Sequence, residues 1–466
     1  MKKTFLLIAG LMMLLLQSSC NSKGSAGNNS LGEDNAIESD SGSDEGVLRW
    51  GVSVNNQYWN KNSEDKFVYI SVKVTGNEKK TEKKRVPLNI SLVLDRSGSM
   101  SGDAIKYARE ASKFVVKQLS SDDILSIVNY DDLIEVTSPS QPVENKEILI
   151  KKIDEIDSRG YTNLSGGVLE GYKQVGSTKK SNYVNRVLLL TDGLANEGIT
   201  DPRKLNEIAS GKFQEEGIAL STFGLGAEYD EDLLTQMAES GRGNYYYIDK
   251  ADKIPEIFAK ELDGLLNVVA QNTTISIELP SGVECEKVYG YTHTQEGRKI
   301  IVALNDIFSK EDKVFLLKLK LNSDNREKIE FPVELIYTDA DNFASNTAKK
   351  NLTIQVTTDR GLVAKHKNKK VEELIALFEA TDTFDLILSD VDKNDYDTAK
   401  KKATSAISRL KEVQKDIPSE DLQKQEQKMQ EYLDGIDEMK DMEREEKMIL
   451  QKVSKSVNYS VKKMKK

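Results

Sequence analysis

The feature that most constrains the fold is a repeated alternation of strand-like and helix-like segments between residues 86 and 270. Apolar runs such as VPLNISLVLD and RVLLLTDG are followed along the chain by segments with apolar residues at helical spacing, such as DAIKYAREASKFVVKQL. Strands that alternate with helices are typical of crossover connections on a mainly parallel sheet. We therefore predict a doubly wound α/β domain with a mainly parallel sheet over residues 86–270.

Polar side chains follow two of these predicted strands at the point where each strand ends. Asp95 ends the first strand and is followed by Ser97 and Ser99. Asp192 lies at the end of the later strand, in RVLLLTDG. In open α/β sheets the functional crevice lies outside the carboxyl ends of the strands. Carboxylate and hydroxyl oxygens are the ligands that Mg²⁺ prefers, about six in an octahedron. Because hydroxyls are neutral, such a site leaves the ion electrophilic and short of a ligand.

Three segments together resemble the metal-ion-dependent adhesion site of a von Willebrand factor type A domain: DRSGSM, the threonine of RGYTNLSGG, and the strand end LLLTDG. The following segment, DGLANEGIT, resembles the subgroup found in bacterial envelope proteins and inter-alpha-trypsin inhibitor heavy chains. The positions that match the family's site are Asp95, Ser97, Ser99, Thr162 and Asp192. The resemblance implies Mg²⁺, with Mn²⁺ or Ca²⁺ as alternatives, held directly by the serines and threonine and through water by one or both aspartates. A partner's carboxylate commonly completes the shell in that family.

The motif Asp-x-Ser-x-Ser alone is weak, because an Asp or Ser before a helix is more often an N-cap than a ligand. The ordered set is stronger evidence for a cation site. Arg96 stands where small or neutral residues are commoner in the family, and either it tunes the site or it points to solvent. Four other acids near the crevice are predicted to be solvated caps and turn residues: Asp131, Asp132, Glu197 and Asp201.

The predicted function is therefore non-enzymatic: a protein ligand supplies an Asp or Glu to the bound metal. One alternative is an envelope scaffold that uses the metal site within or between copies. A metal-dependent phosphohydrolase is the other alternative, but phosphatases of the haloacid dehalogenase type need an acid two residues after the first, where this chain has Ser97. The chain has no GxxxxGK[ST] phosphate loop and no HExxH pair. A net charge of -10 argues against nucleic acid as a partner. The oligomeric state stays open.

The N-terminus is typical of an export signal, predicted over residues 1–20, because two lysines precede an apolar run that ends in QSSC. The segment resembles a bacterial lipoprotein signal, which implies lipidation of Cys20 and membrane anchoring in the cell envelope. Ordinary cleavage near Ser19 is the alternative. Asn21 is not the aspartate associated with inner-membrane retention in enterobacteria, which favours the outer membrane over the inner one. The polar residues 21–46 are predicted to be a flexible tether.

Three further regions flank the α/β domain. Residues 271–360 contain successive strand-like segments separated by turn residues, which predicts an antiparallel β-sandwich. The strands within residues 47–85 are predicted to complete that sandwich, so that the α/β domain is an insertion. Residues 361–466 are predicted to be helical, with one apolar stripe packed as a buried face. With Cys20 lipidated, Cys285 has no partner for a disulfide and is predicted to be an apolar strand residue.

Overall fold

The computed structural model describes residues 43–79, 85–322 and 326–464. The predicted signal peptide, Cys20 and most of the predicted tether lie outside the described residues. The strands are β1 Ser43–Glu45, β2 Leu48–Val54, β3 Tyr58–Asn60, β4 Phe67–Gly76, β5 Leu88–Asp95, β6 Ile124–Tyr130, β7 Ile134–Pro142, β8 Val184–Thr191, β9 Ala219–Leu225, β10 Arg242–Ile248, β11 Val268–Glu278, β12 Val283–Tyr289, β13 His293–Glu296, β14 Lys299–Phe308, β15 Asp312–Leu321, β16 Lys328–Asp339 and β17 Ser345–Thr357.

The helices alternate with the strands in the first half of the chain and follow them in the second. They are α1 Asp103–Gln118, α2 Lys146–Asp154, α3 Leu164–Ser177, α4 Pro202–Glu216, α5 Glu231–Ser240, α6 Ile254–Leu266, α7 Arg360–Lys365, α8 Lys369–Asp392, α9 Tyr396–Asp416, α10 Glu420–Gly435 and α11 Arg444–Lys462. Short 3₁₀ turns occupy Gly98–Met100, Ala251–Lys253 and Glu438–Lys440.

The α/β domain is built on a six-stranded sheet in the order β10-β9-β8-β5-β6-β7. Every pairing is parallel except that of β7, which lies antiparallel to β6. Every residue of β5 and β8 is buried, and five of the eight residues in each strand are apolar, as expected for strands that are covered on both faces. Helices α1, α2 and α6 pack on one face, and α3, α4 and α5 pack on the other. The predicted doubly wound fold is confirmed.

A β-sandwich is formed by strands from both sides of the α/β domain. One sheet has the order β1-β2-β4-β15-β12, and the other has the order β13-β14-β11-β16-β17-β3. The antiparallel pairing of β4 with β15 joins the N-terminal strands to those that follow the α/β domain. Strand β1 lies within the predicted tether; it pairs with β2 across a turn in which Gly46 has a φ of 63°. Backbone pairing needs no apolar side chains, so the polar composition of the segment did not reveal this strand.

The C-terminal helices α8 to α11 pack around their own apolar core. The residues of the predicted stripe pack in this core, with Leu433 partly buried and the other four fully buried: Met429, Tyr432, Ile436 and Met439. Helix α8 packs on the sandwich through Phe378, which lies 6.0 Å from Tyr289 between ring centroids. Helix α11 packs on the α/β domain, where Lys452 Nζ donates to the Tyr229 carbonyl at 2.9 Å. No helix in the described part of the chain is both long enough and apolar enough to cross a bilayer.

Candidate functional site

Two parallel strands bring the predicted site residues to one edge of the sheet. Strands β5 and β8 are neighbours in register, with Leu94 opposite Leu190. Asp95 follows Leu94 directly, and Asp192 lies two residues after Leu190. The chain continues from β5 to β6 on one side of β5, whereas β8 lies on its other side. This is the switch in strand order at which open α/β sheets bind ligands.

The Asp95 carboxylate lies at the bottom of the crevice and is fully buried. It accepts hydrogen bonds from the backbone N–H of Ser97 at 2.8 Å, from Thr191 Oγ1 at 2.6 Å and from the Tyr130 hydroxyl at 3.4 Å. Burial raises the pKa of Asp95 above its ordinary value, although the hydrogen bonds from Thr191 and Ser97 oppose that rise. The side chain is thus fixed in orientation before any cation is present.

Hydroxyl groups connect the two strand ends. Ser97 Oγ lies 3.1 Å from Ser99 Oγ, and Ser99 Oγ donates to Asp192 Oδ1 at 2.6 Å. Ser97 is buried and Ser99 is exposed, so this row of oxygen atoms runs from the interior to the surface. The crevice is therefore open to a partner from solvent on the side of Ser99.

Thr162 reaches the same place from the segment that precedes α3. Its N–H donates to Asn196 Oδ1 at 2.9 Å, and its carbonyl accepts from the Asn196 N–H at 3.2 Å. A Cβ placed on Gly193 would lie 3.5 Å from Thr162 Oγ1 and 3.6 Å from Ser99 Oγ, so both hydroxyls face residue 193. The structure thus brings together all five side chains predicted to hold the metal, which we call the oxygen cluster: Asp95, Ser97, Ser99, Thr162 and Asp192.

The oxygen cluster has the chemistry of a site for a small hard cation. Burial raises the pKa of Asp192 to about 7, and the nearby charge of Asp95 adds to the rise, while the hydrogen bond from Ser99 lowers it. A cation between the two carboxylates would relieve this repulsion, and all the donors are oxygens. Among the described residues, no group of three or more His, Cys, Asp or Glu side chains is placed to hold a metal. A site made mostly of hydroxyls does not depend on such a group.

The hydrogen bonds to the oxygen cluster come from the α/β domain itself. Within the described ranges, its side-chain partners lie between residues 95 and 196, and the sandwich and C-terminal helices contribute none.

The interpretation of Asp131 as a solvated residue was wrong. Its side chain is fully buried, and Asp131 Oδ2 accepts from Arg96 Nε at 2.6 Å and from Arg159 Nε at 2.9 Å. Its carbonyl accepts from the Asn163 N–H at 2.9 Å, next to Thr162. Burial alone would raise the pKa of Asp131, but hydrogen bonds from Arg159, the Leu133 N–H and Arg96 hold it below its usual range.

Arg96 therefore points inward and not to solvent, since it also donates from Nη1 to Glu135 at 2.7 Å. The positive charge of Arg96 within DRSGSM was the one signal in the sequence of a buried acid nearby. The remaining acids are cap and turn residues as predicted. Asp132 and Glu197 are exposed, and Asp201 caps α4 by accepting from the Arg203 N–H at 3.0 Å.

Comparison with known proteins gives the α/β domain a family context. Residues 89–260 match the sequence family described as von Willebrand factor type A domain. The chain is 31% identical over 229 residues to the protein YfbK of Escherichia coli (strain K12), covering 48% of this chain and 40% of YfbK. It is 28% identical over 240 residues to inter-alpha-trypsin inhibitor heavy chain H3 of Mus musculus, covering 47% of this chain and 25% of that one. The chain thus spans less than half the length of these relatives.

A solved structure shares the architecture. The von Willebrand factor type A protein from Catenulispora acidiphila superposes with a TM-score of 0.65, covering 82% of this chain and 90% of that one. The sequence identity is 14%, so this likeness concerns the fold alone. The resemblance predicted from DRSGSM and LLLTDG is confirmed at the level of the domain.

Proposed function

Because residues 89–260 form a von Willebrand factor type A domain, we propose that this chain binds a protein ligand through a divalent cation at the oxygen cluster. The observation that carries the proposal is the row of oxygen atoms that runs from the buried Ser97 through the exposed Ser99 to the half-buried Asp192. The neutral hydroxyls add ligands without adding charge, so the ion stays electrophilic and short of a ligand. An acid from outside is then the group that fits the exposed side.

The residues that would hold Mg²⁺ are Asp95, Ser97, Ser99, Thr162 and Asp192. When bound, the ion supplies a Lewis-acidic position for the carboxylate of a ligand Asp or Glu. The chain's own part is to keep the donors in place, which Thr191 and Tyr130 do for Asp95. Mn²⁺ and Ca²⁺ are alternatives because they also prefer oxygen ligands. We propose binding and not catalysis, because Ser97 stands where a phosphatase would need a second acid.

Calorimetric titration with Mg²⁺ tests the metal site. The protein is the chain from residue 21 to residue 466, and we expect saturable binding that is lost in Asp95→Ala. Asp201→Ala is the matched control, because Asp201 also follows a strand of the same sheet but caps α4. No binding by the unmodified chain, or equal binding by the Asp95→Ala variant, would overturn the proposal.

The protein ligand is tested by affinity capture from an envelope extract, with Mg²⁺ in one arm and a chelator in the other. We expect a partner that the unmodified chain retains only with Mg²⁺ and that Asp95→Ala does not retain. Size-exclusion chromatography under the same two conditions separates ligand binding from assembly. If chelation changes the size of the purified chain alone, the metal joins copies of the chain, and the scaffold alternative replaces ligand binding.

We also propose that the chain is a lipid-anchored protein of the bacterial cell envelope, with the outer membrane favoured. The support is the order of residue types at the N-terminus, where positive charge is followed by an apolar run and then by small residues that end at Cys20. Metabolic labelling with an alkyne fatty acid tests this proposal in cells. Cys20→Ala should abolish the label, whereas Cys285→Ala should keep it. Equal labelling of both variants would contradict lipidation at Cys20.

A further inference from the structure

Large apolar side chains are exposed around the oxygen cluster. Within the described residues, five such side chains are more than half exposed. Two of them, Tyr161 and Leu194, lie on loops that carry the cluster, and a third, Leu133, lies on the turn after β6. Tyr161 is 67% exposed, Leu133 is 57% exposed and Leu194 is 55% exposed. Single exposed apolar residues are ordinary on protein surfaces and need no explanation. Their concentration around one crevice does need one.

The segment of Tyr161 touches both the turn of Leu133 and the loop of Leu194, so the three exposed residues lie on adjoining segments beside the crevice. A Cβ on Gly160 would lie 1.9 Å from Asp132 Oδ1, which shows that the turn before Leu133 lies against the segment of Tyr161. The Thr162 carbonyl accepts from the Asn196 N–H at 3.2 Å, which joins the segment of Tyr161 to the loop of Leu194. We call Leu133, Tyr161 and Leu194 the apolar rim.

A basic side chain lies beside the apolar rim. Arg159 donates from Nε to Asp131 Oδ2 at 2.9 Å, and its side chain is 54% exposed. Within the described ranges, no hydrogen-bond partner is seen for its two terminal amino groups. These groups can donate to a carboxylate that approaches from solvent. The surface around the crevice thus combines exposed apolar side chains with donors for an acidic group.

We propose that the ligand is an acidic protein loop in which a large apolar side chain stands next to the metal-binding carboxylate and rests on the apolar rim. This rests on the proposed function, because the carboxylate is assigned to the oxygen cluster. Burial of an aromatic or aliphatic side chain against Tyr161 and Leu194 removes their exposed surface from water. The carboxylate supplies the metal contact common to any acidic ligand, and the apolar neighbour supplies specificity.

Selection from a phage-displayed library of random dodecapeptides tests this inference. The library is bound to the immobilised chain with Mg²⁺ and eluted with a chelator. We expect eluted peptides to carry an Asp or Glu with Phe, Tyr, Trp, Leu or Ile within two positions. Acidic peptides without such a neighbour would overturn the inference, and so would the absence of Mg²⁺-dependent peptides from a protein that binds Mg²⁺ by calorimetry.

Variants then locate the contact with a synthetic copy of a selected peptide. Tyr161→Ser and Leu194→Ser should each weaken its affinity by about tenfold or more, since each removes a large apolar contact. Leu386→Ser is the matched control, because Leu386 is also 55% exposed but lies on α8. Unchanged peptide affinity in both rim variants would overturn the inference while leaving the metal site intact. If the unmodified chain does not bind Mg²⁺ by calorimetry, the proposed function itself is overturned.

Discussion

Arg96 Nε donates to Asp131 Oδ2 at 2.6 Å, and this contact fixes the serine-bearing loop to the turn that follows β6. Arg159 donates to the same carboxylate oxygen at 2.9 Å. The two arginine side chains differ in environment, because Arg96 is 6% exposed and Arg159 is 54% exposed. One acid therefore joins three segments of the candidate site, through one buried contact and one exposed contact.

Arg96→Met should destabilise the α/β domain far more than Arg159→Met. Removing one partner of a buried pair costs about 3–5 kcal/mol, whereas an exposed pair contributes little because solvent screens it. Since Asp131 keeps Arg159 in the first variant, we expect the lower end of that range. Urea unfolding at pH 7 measures both free energies. Equal losses in the two variants would contradict the assignment of the buried contact as the stabilising one.

The contrast between Ser97 and Asp131 shows how far the sequence predicts the site. The position of Ser97 follows from a local motif at the end of an apolar run, so the residues themselves carry the information. Asp131 pairs with Arg96 across 35 residues, and nothing local distinguishes it from the exposed Asp132 beside it. Burial and charge pairing depend on which loops meet, which only the folded chain determines.

The same distinction applies to the fold. The spacing of apolar residues predicts the α/β domain because each of its strands and helices has its own regular apolar pattern within a short stretch of sequence. Strand β4 is also visible as an alternating pattern, but its partner β15 lies about 240 residues further along the chain, with Val72 opposite Phe315. The sandwich is predicted from successive strand-like segments, and its completion by the N-terminal strands is predicted from the exposed edge that too few strands would leave. No local pattern specifies that register.

Gly167→Ala should destabilise the protein, whereas Gly211→Ala should stabilise it. Both glycines lie inside helices, where alanine gains up to about 1 kcal/mol. A Cβ at residue 167 would lie 2.5 Å from the buried Tyr130 ring, but at residue 211 nothing lies within 4 Å. Overpacking costs about 1–3 kcal/mol, so the two variants should differ by about that amount in thermal or urea unfolding. A stabilised Gly167→Ala variant would mean that α3 does not pack tightly on Tyr130.

Because of Asp123, the α/β domain should lose stability as the pH falls. It is buried beside β5 and accepts from Arg85 Nη1 at 2.7 Å and from the Leu88 N–H at 2.8 Å. Burial alone would raise its pKa, but the hydrogen bonds from Arg85, Leu88 and Ser120 outweigh this and lower it. Because the folded pKa is below the unfolded one, the stabilisation is present above the unfolded pKa and is lost as the pH falls through the folded pKa.

Asp123→Asn should therefore cost about 1.5–3 kcal/mol at pH 7, which is typical of hydrogen bonds to a charged group. The difference from the unmodified chain should shrink as the pH falls below about 4. Urea unfolding at pH 7 and in acid gives both values. Asp154→Asn is the control, since Asp154 pairs with Lys113 at the surface and should cost less than about 1 kcal/mol. If the stability difference between the two proteins grew in acid instead, the assigned lowering of the Asp123 pKa would be wrong.

Arg186 and Asp306 should couple the unfolding of the α/β domain to that of the sandwich. Arg186 lies on β8 and is almost fully buried, and its Nη2 donates to Asp306 Oδ2 of β14 at 2.5 Å. Arg186→Met alone leaves a buried acid without its cation, and we expect a loss of about 3–5 kcal/mol. Replacing both residues, as Arg186→Met with Asp306→Leu, should recover most of this loss, because two apolar side chains need no mutual charge.

Differential scanning calorimetry distinguishes coupling from simple local damage. If the pair joins the two domains, Arg186→Met should broaden the thermal transition or divide it into two, and the double variant should restore a single transition. A double-mutant cycle gives the interaction energy of the pair. Losses that simply add in the double variant would show that the two side chains act independently, and the domains would then be held together by their apolar contacts instead.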